Sequence, residues 1–354
     1  MEAGARHVPE LDGLRGLAAL IVIVSHFSIV TEMFGGLLGF GGGQLGVMLF
    51  FSLSGFLMGR LYLPTEPNRQ SVAIFYLRRV ARVAPLYLLV VLASFVCTAT
   101  LGTDSPLYKI STDALPAHLA FWHGDSILWT IPVEVQFYAV FPILWWVFSR
   151  IGYQMLIWLA LGLAAIVLGG YPAQPALLPY AAFFASGLAI SLIGGRWKLD
   201  GAFIASFLLV ILLFPRIRSS LGFGPIELTD MWRSPAYLVA VGALLFSTLH
   251  SQIASQLLGS RGFGYLGKVS YSIYLLHLPV LLWLSHIKFL AQNLLIFFPI
   301  FVLVTLLIAS ASYWLIEAPS RRAINSLTGW RLRQIDSAAN HNRTLVAAEV
   351  LKPK

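Results

Sequence analysis

The chain has a single cysteine, Cys97, in 354 residues, which excludes an internal disulfide and any metal cluster built on thiolates. Charge is scarce as well. Asp, Glu, Lys and Arg make up 11% of the residues against 58% hydrophobic ones, and mean hydropathy is +0.79. That leaves too little polar surface to cover a soluble globule, so an integral membrane protein is expected. Acidic residues are outnumbered by basic ones, 15 to 24. In a membrane protein that excess sets orientation and does not imply a nucleic-acid partner. There is no Gly-rich phosphate loop of the Walker type, which argues against an ATP-driven machine. No internal repeat is visible either, which weakens a transporter reading. His7, Pro9, Glu10 and Asp12 precede the first apolar run and no small-residue cleavage site follows it, so it reads as a retained helix rather than a signal peptide. No metal site and no tightly bound cofactor are expected.

What the sequence does have is long apolar runs. Segments near 14–34, 44–63, 82–102, 129–149, 153–169, 177–194, 201–215, 235–250, 267–286 and 294–316 each approach the length of a transmembrane helix. The expected fold is therefore all-α, a polytopic membrane protein of about ten transmembrane helices around a central cavity. Residues 1–326 form the membrane domain and 327–354 a polar tail. An even number of spans puts both termini on one side. With that side cytoplasmic, nineteen of the 24 basic residues fall in inner segments, from Arg6, Arg15 and Arg60 through Arg196 to Arg331, Arg333, Arg343, Lys352 and Lys354 in the tail. Lys109, Arg216, Arg218, Arg233 and Lys288 are left outside. The bias places the termini in the cytoplasm. The outer connections 103–128 and 216–234, with Asp104, Asp113 and Asp125 in the first, are long enough to cap a cavity.

Ionisable groups at membrane depth are functional candidates by default. Arg15 and His26 share the first run, and the ~1.5 Å rise per residue sets them ~16 Å apart along the helix. Counting from the outer face places His26, Glu134 in the fourth run and His277 in the ninth in one layer. His26 reads either as a satisfied interhelical imidazole or as a general base for a hydroxyl, with Glu134 as the carboxylate that fixes its tautomer. Glu134 reads alternatively as a protonated carboxyl bonded to a backbone carbonyl. His277 is open between packing and a substrate contact. Ser52, Ser54 and Gly55 interrupt the second run, either for close helix approach or to leave room and hydroxyls for a narrow ligand. Arg78, Arg79 and Arg82 at the third run either anchor on anionic headgroups or grip a phosphorylated ligand such as a nucleotide or coenzyme A. Trp122, Trp129, Tyr138 and the Trp145–Trp146 pair suit sugar stacking or interfacial anchoring. On these groups alone, a proton-coupled transporter or flippase of an envelope precursor stands as the alternative to an enzyme.

In order along the chain, ELDGLRGLAALIVIVSHF, FFSLSGF, LRRVARVAPLY, WTIPVEVQFYAVFP, VSYSIYLLHLPV and IEAPSRR resemble motifs of the acyltransferase 3 family of membrane O-acyltransferases. The first carries Arg15 and His26 at the family's spacing, the second Ser54 and Gly55, the third Arg78, Arg79 and Arg82. The fourth carries Trp129, Glu134 and Tyr138, with Thr130 and Ile131 departing from the usual Ser-Leu. The last two carry Tyr274, His277, Glu317 and Arg322.

The resemblance implies transfer of an acyl group, acetyl first among candidates, from cytoplasmic acyl-CoA to a hydroxyl of an extracytoplasmic or lipid-linked glycan, in a bacterial cytoplasmic (inner) membrane. It gives His26 and Glu134 catalytic roles. Arg15, Arg78, Arg79, Arg82, Ser54 and Gly55 would take the donor, and His277, Tyr274, Tyr138, Trp129 and Glu317 the acceptor or supporting positions. Direct attack on the thioester and an acyl-histidine intermediate both remain open. Partners implied are the bilayer, the two substrates and envelope-assembly proteins.

Overall fold

The computed structural model of the chain describes residues 7–102, 105–169, 176–195, 197–324 and 326, and regular structure among them is helical throughout. Arg6, Asp104, Arg196 and the tail over 327–354 with its five basic residues lie outside the described residues.

Helix α1 (Pro9–Thr31) has Pro9 in its first turn, where the missing N–H has no intrahelical partner to lose, and Glu10 and Asp12 at the positive end of the helix dipole. Helix α2 (Gly42–Tyr62) starts after Gly41, whose φ of 98° is a glycine conformation. Helix α3 (Arg69–Leu101) starts on a capping box: Asn68 Oδ1 accepts from the Ser71 amide, and Ser71 Oγ accepts from the Asn68 amide. The expected start near 82 is thereby corrected. The cap sets the boundary rather than the last charge, so Arg69, Arg78, Arg79 and Arg82 all ride on one helix of 33 residues.

The short α4 (Leu115–Leu119) and a 3-10 turn over Ser126–Trp129 lead into α5 (Thr130–Ile151). Then come α6 (Gln154–Gly169), α7 (Ala181–Ser191), α8 (Asp200–Leu212), α9 (Pro215–Arg218), α10 (Leu228–Arg233), α11 (Pro235–Thr248) and α12 (Gln252–Leu258). Helices α13 (Arg261–Ser285), α14 (Lys288–Gln292) and α15 (Leu294–Ser312) close the fold, α15 passing into a π turn over Tyr313–Glu317.

Among the described residues, five helical segments are long and apolar enough to cross a bilayer: Pro9–Thr31, Gly42–Tyr62, Arg69–Leu101, Ser126–Ile151 and Leu294–Ile324. The number rises to seven if two bent pairs each count as one span. These pairs occupy the expected runs at 201–215 and 235–250. The first bends by 83° between Asp200–Leu212 and Pro215–Phe223, the second by 87° between Pro235–Thr248 and Gln252–Leu258. The chain is an all-α membrane protein.

Helix α1 packs against α13 and α2, and α2 packs in turn against α7. Backbones touch at these contacts. A Cβ on Gly267 would sit 1.8 Å from the Asp12 carbonyl oxygen, and one on Gly55 would sit 2.0 Å from the Phe184 carbonyl oxygen. Small residues permit this approach, and the helices gain packing from it. Of the two readings of Gly55, the packing of α7 against it fits close helix approach.

Candidate active site

His26 is placed by the contacts of α1 on both sides. Ser25 Oγ accepts from the Gly43 amide at 2.7 Å, which ties the first turn of α2 beside the imidazole. On the other flank α13 runs parallel to α1, since Gly16 approaches Phe263 and Gly267 while His26 meets His277 further along both helices.

The two rings lie 5.0 Å apart between centroids, with His277 Nε2 3.0 Å from His26 Nδ1. The rest of the network decides which nitrogens carry protons. His277 is fully buried, and its Nδ1 lies 2.7 Å from the Tyr274 carbonyl oxygen and 3.0 Å from that of Ile273. Carbonyl oxygens only accept, so His277 Nδ1 bears hydrogen and, in the neutral ring, Nε2 presents a lone pair. His26 Nδ1 then donates to it. This leaves the lone pair of His26 on Nε2, where a base must have it. His277 is thus the side chain that orients His26, beside the Val22 carbonyl of its own helix.

Glu134, expected to do this, lies elsewhere. Its carboxylate accepts from Ser54 Oγ at 3.0 Å and from the Tyr138 hydroxyl, and Arg15 and Arg82 both lie within electrostatic range of it. Ser54 is eleven positions along α2 from Gly43, about 16 Å at helical rise, so Glu134 belongs to the layer of Arg15 and not to that of His26. The expected single layer of His26, Glu134 and His277 is corrected on this point. The cause is the 3-10 turn before α5. Ile127 and Leu128 are buried, and the Ile127 carbonyl accepts from the Tyr274 hydroxyl at 2.9 Å, so α5 starts deep.

The Arg15 layer is strongly cationic. Tyr138 is flanked by Arg79 and Arg82, the Arg79 guanidinium lying 5.6 Å from its ring centre. Arg82 also faces Glu317 and Tyr271, and the Tyr271 hydroxyl donates to the Val83 carbonyl at 2.7 Å. Glu317 is 1% exposed, ion-paired to Arg321 at 3.0 Å and hydrogen-bonded by Ser272. Arg78 is half-buried on the same helix. Among the aromatics, Trp145 is buried and donates to the Thr65 carbonyl at 2.6 Å, whereas Trp122 and Trp146 are exposed. Trp129 packs against Phe51, Tyr180 and Trp232. A cavity of about 620 Å³ opens where α1 begins and α2, α7 and α11 end, lined by His7, Phe56, Arg60, Ile190, Leu249 and His250.

The connection before α5 holds a group that sequence reasoning passed over. His118 and His123 each reach Asp125 through Nε2, at 3.0 and 3.1 Å, and the Tyr87 hydroxyl lies 3.4 Å from His118 Nδ1. Burial opposes the charge on Asp125, but the two imidazoles hold its carboxyl below the ordinary carboxylate range. The signal was a pair of histidines spaced five apart before an aspartate. Asp125 immediately precedes the turn whose Ile127 carbonyl meets Tyr274, so the cluster anchors the segment that packs beside His277.

A family model described as an acyltransferase domain matches residues 8–314. The Bacillus subtilis protein YrhL, provisionally named a peptidoglycan O-acetyltransferase, is 25% identical over 89% of this chain and 55% of its own length. A provisionally named O-acetyltransferase of Staphylococcus aureus is 24% identical over 92% of this chain and 59% of its own. The peptidoglycan O-acetyltransferase OatA of Listeria monocytogenes is 24% identical over 92% and 58%. The chain thus spans between a half and two thirds of the length of these relatives. No solved structure matches it.

Proposed function

We infer the function of this chain, which belongs to the acyltransferase 3 family, from the proton arrangement at His26: it is a membrane O-acyltransferase that acetylates a glycan hydroxyl. The observation carrying this reading is the His26–His277 pair, whose hydrogen bonds fit a lone pair on Nε2 of an imidazole in the first apolar helix. The family match supports acyl transfer, and the relatives' names support acetyl as the group and a glycan as the acceptor.

The donor is acyl-CoA, held by its phosphates among Arg15, Arg79 and Arg82, with Arg78 at the mouth. Guanidinium forks match phosphate oxygens in geometry and charge. Glu134, tied to Ser54 and Tyr138, holds the arginines in place and keeps their repulsion in check. An extended pantetheine arm of about 15–20 Å covers the ~16 Å rise from Arg15 to His26. At that level His26 Nε2 takes the proton of the acceptor hydroxyl as the oxygen bonds to the thioester carbon. The C–S bond breaks, and the departing thiolate recovers the proton from the imidazolium. His277 keeps His26 Nδ1–H engaged throughout, so the charged ring forms without losing its orientation. Residues 1–326 are the catalytic membrane domain, ten spans around a central cavity in the bacterial inner membrane with donor access from the cytoplasm. Envelope-assembly proteins are its natural neighbours.

Purified protein incubated with acetyl-CoA labelled in the acetyl group and with peptidoglycan fragments is expected to move label onto the saccharide. Solute movement in vesicles without any label transfer would instead make the chain a transporter.

A further inference from the structure

One cation of the Arg15 layer comes from the other end of the chain and takes no part in the donor contacts of α1 and α3. Arg321 follows the π turn over Tyr313–Glu317. Such turns are rare in helices and recur at functional sites because the extra residue re-aims the side chains after it. Here the turn ends on Glu317, which is buried and hydrogen-bonded by Ser272 Oγ, itself 3.3 Å from Ser312 Oγ. Glu317 Oε2 in turn accepts from an Arg321 terminal nitrogen at 3.0 Å. The tether points the guanidinium toward Arg79 and Arg82, both within electrostatic range.

That direction is costly unless an anion completes it. Arg15, Arg79, Arg82 and Arg321 gather around two buried or half-buried carboxylates, Glu134 and Glu317. Asp12, which also faces Arg15, is shared with His7 at 2.7 Å. The cluster therefore carries an excess of about one to two positive charges, depending on whether His7 is charged, in a setting where unpaired charge is expensive. Two of its donors are idle as well: Arg79 Nε and Arg321 Nε are buried with no hydrogen-bond partner among the described residues. A phosphate monoester carries about −1.5 to −2 charges at neutral pH and three acceptor oxygens, which matches both the excess charge and the idle donors.

We propose that Arg321, held by Glu317 on the π turn, completes a dianion site and binds the terminal phosphomonoester of the donor. In acyl-CoA this group is the 3′-phosphate of the adenosine. The inference rests on the donor reading given above. Arg321 then contributes affinity and, with Arg79 beside it, selects donors that carry the monoester, while Arg15 and Arg82 serve the diphosphate.

The test is calorimetric binding of coenzyme A and of 3′-dephospho-coenzyme A to the purified protein in lipid nanodiscs. Wild-type protein should bind coenzyme A at least about tenfold more tightly, the value of one charge-assisted hydrogen bond. Arg321→Gln should reduce that preference to about threefold or less while still binding 3′-dephospho-coenzyme A as wild type does. Should that variant fail to fold, Arg321→Lys, which loses the fork, should cut the preference at least threefold. An unchanged preference in a folded variant overturns the proposal and leaves the donor reading intact. Equal weakening of both ligands assigns Arg321 to the diphosphate and overturns it too. No binding of either ligand to wild type overturns the donor reading itself.

Discussion

Replacing His26 with alanine is expected to lower acetyl transfer by about 1,000-fold, within the range that a positioned general base contributes. Donor binding should survive, because the proposed phosphate site at Arg15 lies ~16 Å away along α1. The substitution exposes no new buried charge, so the protein should still fold in the membrane. The effect at His277 separates a positioning residue from a second base. In His277→Phe the His26 ring loses its imidazole partner and keeps only the Val22 carbonyl of its own helix, so kcat should fall with the donor KM unchanged. His277→Gln, whose amide oxygen can accept the His26 Nδ1–H, should recover part of the loss. Steady-state kinetics with labelled acetyl-CoA read both. Wild-type turnover in His26→Ala would remove the base from the mechanism, and equal losses in His277→Phe and His277→Gln would argue against the orienting hydrogen bond.

The second large effect is expected at α3. Exchanging Arg82 or Arg79 for glutamine removes a charge-assisted contact worth about 1.5–3 kcal/mol, so the donor KM should rise about 10- to 100-fold for each. The acceptor KM should not move. Arg82 should show the larger change, since it faces Glu134, Glu317, Tyr138 and Tyr271 together, while Arg79 stacks over Phe75 and Tyr138 at 5.9 and 5.6 Å. Titration of donor against each variant measures this. Unchanged donor affinity would make these arginines membrane anchors.

How far the sequence reaches is clear from individual residues. His26 and Arg15 stand out because an imidazole and a guanidinium in an apolar run are anomalous in themselves, and the rise along one helix fixes their separation. His277 was visible for the same reason. Its bond to His26 was not, because nothing local encodes which helices are neighbours. Glu134 was misplaced because its depth was counted from Trp129 as if that residue lay at the outer face. The buried turn at Ile127 and Leu128 moves the origin of that count inward. The start of α3 was misread because hydropathy marks where a chain is apolar, whereas the Asn68–Ser71 box marks where a helix begins. The bent pairs at α8–α9 and α11–α12 read as short spans, since periodicity does not report an 83° or 87° break. Arg321 sat unremarked in a basic stretch that suits headgroups equally well. Only the π turn and the Glu317 tether distinguish it.

The central claim is that donor and acceptor reach His26 from opposite faces of the membrane. Proteoliposomes in which the protein has one known orientation test it most directly, with acetyl-CoA on one side only and the saccharide acceptor on the other. Label should cross onto the acceptor only when acetyl-CoA is on the face nearest Arg15, Arg79 and Arg82, and swapping the two substrates should abolish transfer. Transfer that requires both substrates on the same face would contradict the account.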